Sequence, residues 1–151
     1  MNFFTRLQEL NIMLIEDDEY IRDSMRLLLE GEGCRLRTWD TAEEALADLE
    51  REMADVIIAD YRLPRMDGIA FFEALGRRAG KQAVRVLISA YLNRPVRDLA
   101  RRAGVQAMIE KPFTSETIET VLAKLLDERG KGDAGSPKDR AGRGQEGGAA
   151  V

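Results

Sequence analysis

Four short apolar runs constrain this chain more than anything else in it: Ile12-Met13-Leu14-Ile15, Val56-Ile57-Ile58-Ala59, Val84 to Ile88 with one break at Arg85, and the weaker Ala107-Met108-Ile109. Runs this short and this unbroken read as strands buried on both faces, which is the condition of a parallel sheet. The segment Cys34 to Trp39 behaves differently. Cys34, Leu36 and Thr38 alternate with Arg35 and Arg37, as in an edge strand with one wetter face.

Helical patterns fill the spaces between these runs. Ile21, Met25, Leu28 and Leu29 recur at helical spacing before Gly31 and Gly33, where a C-cap glycine is expected. Ala42, Ala45, Leu46 and Leu49 follow i, i+3, i+4, i+7, and Thr41 with Glu44 forms a capping-box signature. Asp67 and Gly68 open a third helix with Ile69, Phe72 and Leu75. A fourth starts at Pro95 and carries Val96, Leu99, Ala100 and Ala103. The fifth carries Ile118, Val121, Leu122 and Leu125 behind Thr114 as a cap. Strict strand–helix alternation, with connections too long for hairpins, predicts right-handed βαβ crossovers. The fold class is therefore α/β: a doubly wound, five-stranded parallel sheet in a three-layer sandwich, with the flavodoxin-like order 2-1-3-4-5.

The totals exclude several classes. At 151 residues there is room for one domain of ordinary size. Twenty-three basic against 27 acidic residues give a net charge of -4, so no global positive field favours direct nucleic-acid binding. No apolar run approaches the ~20 residues that span a bilayer, and the single cysteine, Cys34, has no internal disulfide partner. A cytoplasmic protein is expected. Histidine is absent, so any chemistry rests on carboxylates, hydroxyls and lysines. Residues 1–10 read as an N-terminal extension in which Arg6 and Glu9 interrupt any signal-peptide core. The domain proper is expected over 11–127. Residues 128–151, rich in Gly, Ala and mixed charge, read as a disordered tail.

The chemistry gathers at the strand ends. Glu16, Asp17 and Asp18 follow Ile15, and Asp60 follows Ala59. In the 2-1-3-4-5 order these strands are neighbours about 4.8 Å apart, so their carboxylates converge at the topological switch point. Taken alone, Glu16 to Glu19 is an acidic turn leading into a helix N-terminus. Convergence argues otherwise, because carboxylates ~4 Å apart repel by ~4 kcal/mol at an effective dielectric near 20. A compensating cation is implied, and oxygen ligands with open positions suit Mg²⁺. Ser89 and Lys111 follow the fourth and fifth strand runs and share the rim with Asp60. Alone, the one is a loop hydroxyl and the other a surface lysine. Together with a carboxylate and a metal, they describe a site for a transferred phosphoryl group.

Four blocks in order, Ile-Met-Leu-Ile-Glu-Asp-Asp-Glu-Tyr-Ile-Arg, Asp-Val-Ile-Ile-Ala-Asp-Tyr-Arg-Leu-Pro-Arg-Met-Asp-Gly, Val-Leu-Ile-Ser-Ala and Glu-Lys-Pro-Phe, resemble the signature blocks of the CheY-like receiver domains of response regulators. The resemblance covers about residues 11 to 127. It implies that Asp60 is the phosphoacceptor, taking phosphorus from the phosphohistidine of a histidine kinase or histidine phosphotransfer protein. It implies that Asp17 and Asp60 touch Mg²⁺ directly, with Glu16 acting through water and the backbone carbonyl of Arg62 as a further ligand. Glu16 and Asp17 are preferred to Asp17 and Asp18 as the acidic pair because they directly follow the four apolar strand residues and keep Ile21-Arg22 in register. Ser89 and Lys111 match the residues that contact the phosphoryl oxygens, and Lys111-Pro112 matches a cis peptide bond. Arg62 and Tyr91, two positions beyond Asp60 and Ser89, flank the site, where they would tune hydrolysis of the phosphate.

The resemblance also implies an output. Phosphorylation would draw Ser89 and Lys111 inward and bias the face formed by the fourth helix, fifth strand and fifth helix toward a protein target. One position departs from the family pattern: Met108 stands where an aromatic residue usually lies. The expectation is a stand-alone, single-domain response regulator that modifies itself at Asp60 and is not a turnover enzyme. Its downstream target, and whether phosphorylated chains dimerise, are open. An aspartate-nucleophile phosphohydrolase would commonly carry a second Asp where Arg62 stands. The remaining alternative is an interaction module that keeps the fold without being phosphorylated.

Overall fold

The computed structural model describes residues 10–31, 33–76 and 83–134. Strand and helix alternate through them as β1 (Asn11–Ile15), α1 (Glu19–Glu30), β2 (Arg35–Trp39), α2 (Ala42–Leu49), β3 (Val56–Asp60), α3 (Gly68–Leu75), β4 (Val84–Ser89), α4 (Arg94–Arg102), β5 (Ala107–Glu110) and α5 (Ser115–Ala134). The strands form one sheet in the order β2-β1-β3-β4-β5, and every pairing is parallel. This is the doubly wound arrangement that the apolar runs predict. By its internal contacts the chain divides after Glu119, inside α5.

In the part up to Glu119, the alternation of side chains along each strand sorts the core into two sides. Met13, Ile15, Ile57, Ala59 and Leu87 belong to one cluster with Ala42 and Ala45 of α2, Phe72 and Leu75 of α3, and Val96 and Ala100 of α4. Ile12, Leu14, Val56, Ile58, Val86 and Ile88 point the other way and are equally buried, as are Met25 and Leu29 of α1. Fully burying one such side chain stabilises by about 1.5–3 kcal/mol, so both faces of the central strands must be covered. β2, at the edge, is the alternating segment with exposed Arg35 and half-buried Arg37.

The helix starts are built from the residues that cap them. The Asp18 carboxylate accepts from the N–H groups of Tyr20 and Ile21 at 2.9 and 3.2 Å. The Thr41 hydroxyl accepts from the Glu44 N–H at 3.2 Å and donates to the Glu44 carboxylate at 2.9 Å. Asp67 caps α3 through the Ala70 N–H, Asn93 caps α4 through the Val96 N–H, and the Thr114 hydroxyl accepts from the Thr117 N–H. Each satisfies a backbone donor that the first helical turn leaves unpaired. Gly31 ends α1, and Gly33 takes the left-handed φ of 90° that lets the chain turn into β2.

From Thr120 on, the chain continues α5 with Val121, Leu122 and Leu125 at helical spacing. The helix runs to Ala134, so the boundary expected at residue 127 falls inside it. Each residue added to an existing helix gains a hydrogen bond without a new nucleation cost. That carries it through Gly130 and Gly132 although each glycine costs about 1 kcal/mol relative to alanine. The rest of the expected tail, and residues 1–9 of the expected extension, lie outside the described residues.

Candidate functional site

Parallel pairing brings the carboxyl ends of β1, β3, β4 and β5 to one rim. Ile15 pairs with Ala59, so Glu16 comes level with Asp60, the last residue of β3. Asp60 pairs with Ile88, and Ser89 with Glu110, the residue before Lys111. Ligand oxygens of Glu16, Asp17 and Asp60 all lie within 4.8 Å of one another. The Lys111 Nζ sits 3.1 Å from Asp60 Oδ1 and 3.1 Å from Glu16 Oε1.

Burial sets the electrostatics. Glu16 is wholly inaccessible and Asp60 is 5% exposed, whereas Asp17 lies at the surface. Desolvation pushes the Glu16 carboxyl up to about 7, with the Asp60 charge adding to it and the Asp18 N–H and Lys111 opposing. Asp60 is held above the ordinary carboxylate range by desolvation against the pull of Lys111, with Asp17 raising it further. Burial alone would lower the Lys111 pKa, but the charges of Asp60 and Glu16 outweigh it and the ammonium is strengthened. One ammonium thus faces three carboxylates. Glu16 Oε1 has that ammonium beside it but no well-directed hydrogen bond.

The residues around the trio hold it in place. The Glu16 N–H donates to the Trp39 carbonyl at 3.0 Å, and Arg22 Nη1 donates to the Glu16 carbonyl at 2.8 Å. The Glu16 side chain accepts from the Asp18 N–H at 3.1 Å. Because the Asp18 carboxylate caps α1, Glu16 and Asp17 are the acidic residues left to face Asp60. Below Asp60 the chain is locked by Gly68, whose N–H donates to the Tyr61 carbonyl at 2.8 Å. A Cβ on Gly68 would lie 2.3 Å from the Asp60 carbonyl oxygen, so the start of α3 packs directly against the backbone that carries Asp60.

The remaining expected residues fall around this centre in different ways. Ser89 is buried at the end of β4, but its hydroxyl donates to the Tyr91 carbonyl at 2.9 Å and accepts from the Tyr91 N–H at 3.0 Å. It borders the site while turned toward its own loop. The Lys111 N–H donates to the Ser89 carbonyl at 2.8 Å, and Lys111-Pro112 is a cis peptide bond. The Arg62 guanidinium stacks 5.3 Å above the exposed Tyr91 ring. Met108 pairs with Leu87 and packs partly buried against the core. The roles of Arg22 and Asp18 were not read from the sequence; the cap at Asp18 has a signal, an acidic residue directly before a helical pattern.

The donor set fits a hard divalent cation. Three carboxylates offer oxygens to one point, one of them on the surface, and a single ammonium cannot neutralise them.

A sequence model of the family described as the response regulator receiver domain matches residues 12–123. The chain belongs to that family. This receiver domain is 34% identical over 110 residues to an uncharacterized 14.6 kDa protein of Leptolyngbya boryana, covering 70% of this chain and 82% of that one. It is 31% identical to the C4-dicarboxylate transport transcriptional regulatory protein DctD of Rhizobium meliloti, over 79% of this chain but 26% of the relative. The chain thus spans about a quarter of that larger regulator. Among solved structures, the CheY-like receiver domain protein of Methanospirillum hungatei superposes with a TM-score of 0.75 at 28% identity, covering 81% of this chain and 97% of that one. The receiver domain of the sensor histidine kinase PA1611 of Pseudomonas aeruginosa shares the fold, with a TM-score of 0.70 at 23% identity over 78% of this chain and 98% of that one; its structure holds a magnesium ion in the active-site cleft. Receiver domains work with histidine kinases or phosphotransfer proteins. Among the described residues, no helix of this one is long and apolar enough to cross a membrane.

Proposed function

We propose that Asp60 accepts a phosphoryl group from a phosphohistidine of a partner histidine kinase or phosphotransfer protein, and that the chain acts as a cytoplasmic, single-domain response regulator. The observation that carries this reading is the Lys111 ammonium bridging Asp60 and Glu16 at 3.1 Å each beside the surface carboxylate of Asp17. In the transfer, a bond forms between an Asp60 carboxylate oxygen and phosphorus while the phosphorus–nitrogen bond breaks, and the imidazole leaves with the electron pair. Glu16, Asp17 and Asp60, with the Arg62 carbonyl, would hold Mg²⁺, which when bound supplies positive charge to the phosphoryl oxygens.

Lys111 supplies the second positive charge, already positioned at Asp60 before the phosphoryl group arrives. Ser89 can donate to a phosphoryl oxygen only by giving up its bond to the Tyr91 carbonyl. Modification at Asp60 therefore competes for a hydroxyl that now fixes the loop leading to α4. That exchange would bias α4 and β5 toward a protein target, with Met108 packing in place of an aromatic side chain. Arg62 and Tyr91, two positions beyond Asp60 and Ser89 and stacked on each other, would tune hydrolysis of the aspartyl phosphate. The protein modifies itself and is restored by hydrolysis, without turning over a separate substrate. The small relative that it covers over 82% of its length supports the single-domain reading.

The test is acetyl phosphate with Mg²⁺, followed by intact-mass measurement of the full chain. One phosphoryl group on the wild type and none on Asp60→Asn is expected. An unmodified wild type, under conditions that label other receiver domains, would favour an interaction module that works without phosphorylation.

A further inference from the structure

At the end of the sheet opposite Asp60, an open cavity of about 600 Å³ is lined by Gly76, Ala83, Arg85, Arg102, Gly104 and Gln106, among others. Arg85 is the residue that breaks the fourth apolar run. It lies near the start of β4, a strand buried along its whole length, and is itself 8% exposed.

What remains exposed of Arg85 is what lines this cavity, so its guanidinium donors are available to whatever occupies it. Among the described residues, no carboxylate pairs with Arg85, and Gln106 engages its backbone instead: the Arg85 N–H donates to Gln106 Oε1 at 2.9 Å, and the Arg85 carbonyl accepts from the Gln106 N–H. Burial holds the Arg85 pKa below its usual value. The second cation, Arg102, lines the same cavity from the last turn of α4. None of the described lining residues is acidic. Gly104, with φ of 95°, leaves the space beside Arg85 open; a Cβ there would come within 3.4 Å of Arg85 Nη1.

We propose that this cavity is a binding site for a small oxyanion of the phosphate class, held between the guanidinium groups of Arg85 and Arg102. The planar fork of arginine matches the oxygens of such an anion in pairs. The site is separate from the phosphoacceptor rim: β4 carries Arg85 at one end and Ser89 at the other.

The proposal is tested by titrating inorganic phosphate into the ¹⁵N-labelled full chain in EDTA, with sodium chloride at matched ionic strength as the control. Saturable shifts of the Gly104 and Gln106 amides with phosphate and not with chloride are expected. Arg102→Ala, a surface change, should weaken binding about tenfold, and Arg85→Met should abolish it. Shifts confined to Ser89 and Lys111, equal shifts with chloride, or binding unchanged in Arg102→Ala would each overturn the proposal. Should Arg85→Met fail to fold, the Arg102→Ala titration decides it.

Discussion

Gly68 and Asp60 meet through their backbones: a methyl group on the glycine would stand 2.3 Å from the aspartate's carbonyl oxygen and 3.0 Å from Leu87 Cδ1. Neither the carbonyl nor the buried strand behind it can retreat. Gly68→Ala is therefore expected to destabilise the domain by about 1–3 kcal/mol and to displace Asp60 from Lys111. Denaturant unfolding reads the first effect and the rate of labelling by acetyl phosphate the second; a variant with unchanged stability contradicts the packing.

Stability of the metal-free protein should respond to pH through Glu16. Its carboxyl lies at about 7 in the folded chain against 4.5 unperturbed. The folded state therefore keeps a proton that the unfolded state has lost between those values. The sign follows: this group's stabilising contribution is fully present below about pH 4.5 and is lost as pH rises through about 7. In EDTA, melting temperatures of wild type and Glu16→Gln should diverge over that interval, with the variant the more stable near neutrality. Parallel pH profiles for the two proteins would count against it.

Asp17 is exposed, so its contribution should be to metal affinity and not to the fold. Asp17→Asn is expected to bind Mg²⁺ at least about tenfold more weakly while melting within about 1 kcal/mol of the wild type. The single tryptophan, Trp39, whose carbonyl accepts from the Glu16 N–H, offers a fluorescence readout. Equal Mg²⁺ affinity in both proteins would remove Asp17 from the ligand set.

Lys111→Met separates catalysis from metal binding. The methionine keeps much of the stem but removes the charge at Asp60, so phosphorylation by acetyl phosphate should slow by about 10²–10³. Mg²⁺ affinity should hold or rise, because the ammonium that competes for the carboxylates is gone. Parallel loss of both in this variant would mean that the lysine mainly supports the fold.

Much of this was legible in the residues. Buried strands announce themselves by unbroken apolar runs, and strand order then forces Asp60 beside Glu16 and next to the strand that ends in Ser89. What escaped depends on contacts between residues far apart in the chain. The complete burial of Glu16 comes with bonds to Trp39 and Arg22 and the contact of Lys111, none of which a local pattern encodes. The Ser89 hydroxyl reads as a free donor until its two bonds to Tyr91 are seen. Arg85 looked like an interruption of a strand; only the cavity at its side makes it a candidate site. Helix α5 runs on to Ala134, past the point where the composition changes, because a helix already formed propagates at low cost.

The hydrogen bond from the Lys111 N–H to the Ser89 carbonyl joins, main chain to main chain, the two residues that would grip opposite sides of a phosphoryl group. Neither can shift alone without stretching it. A phosphoryl group at Asp60 that drew in one side chain would therefore be felt at the other, and the ends of β4 and β5 would answer to it as a single jaw.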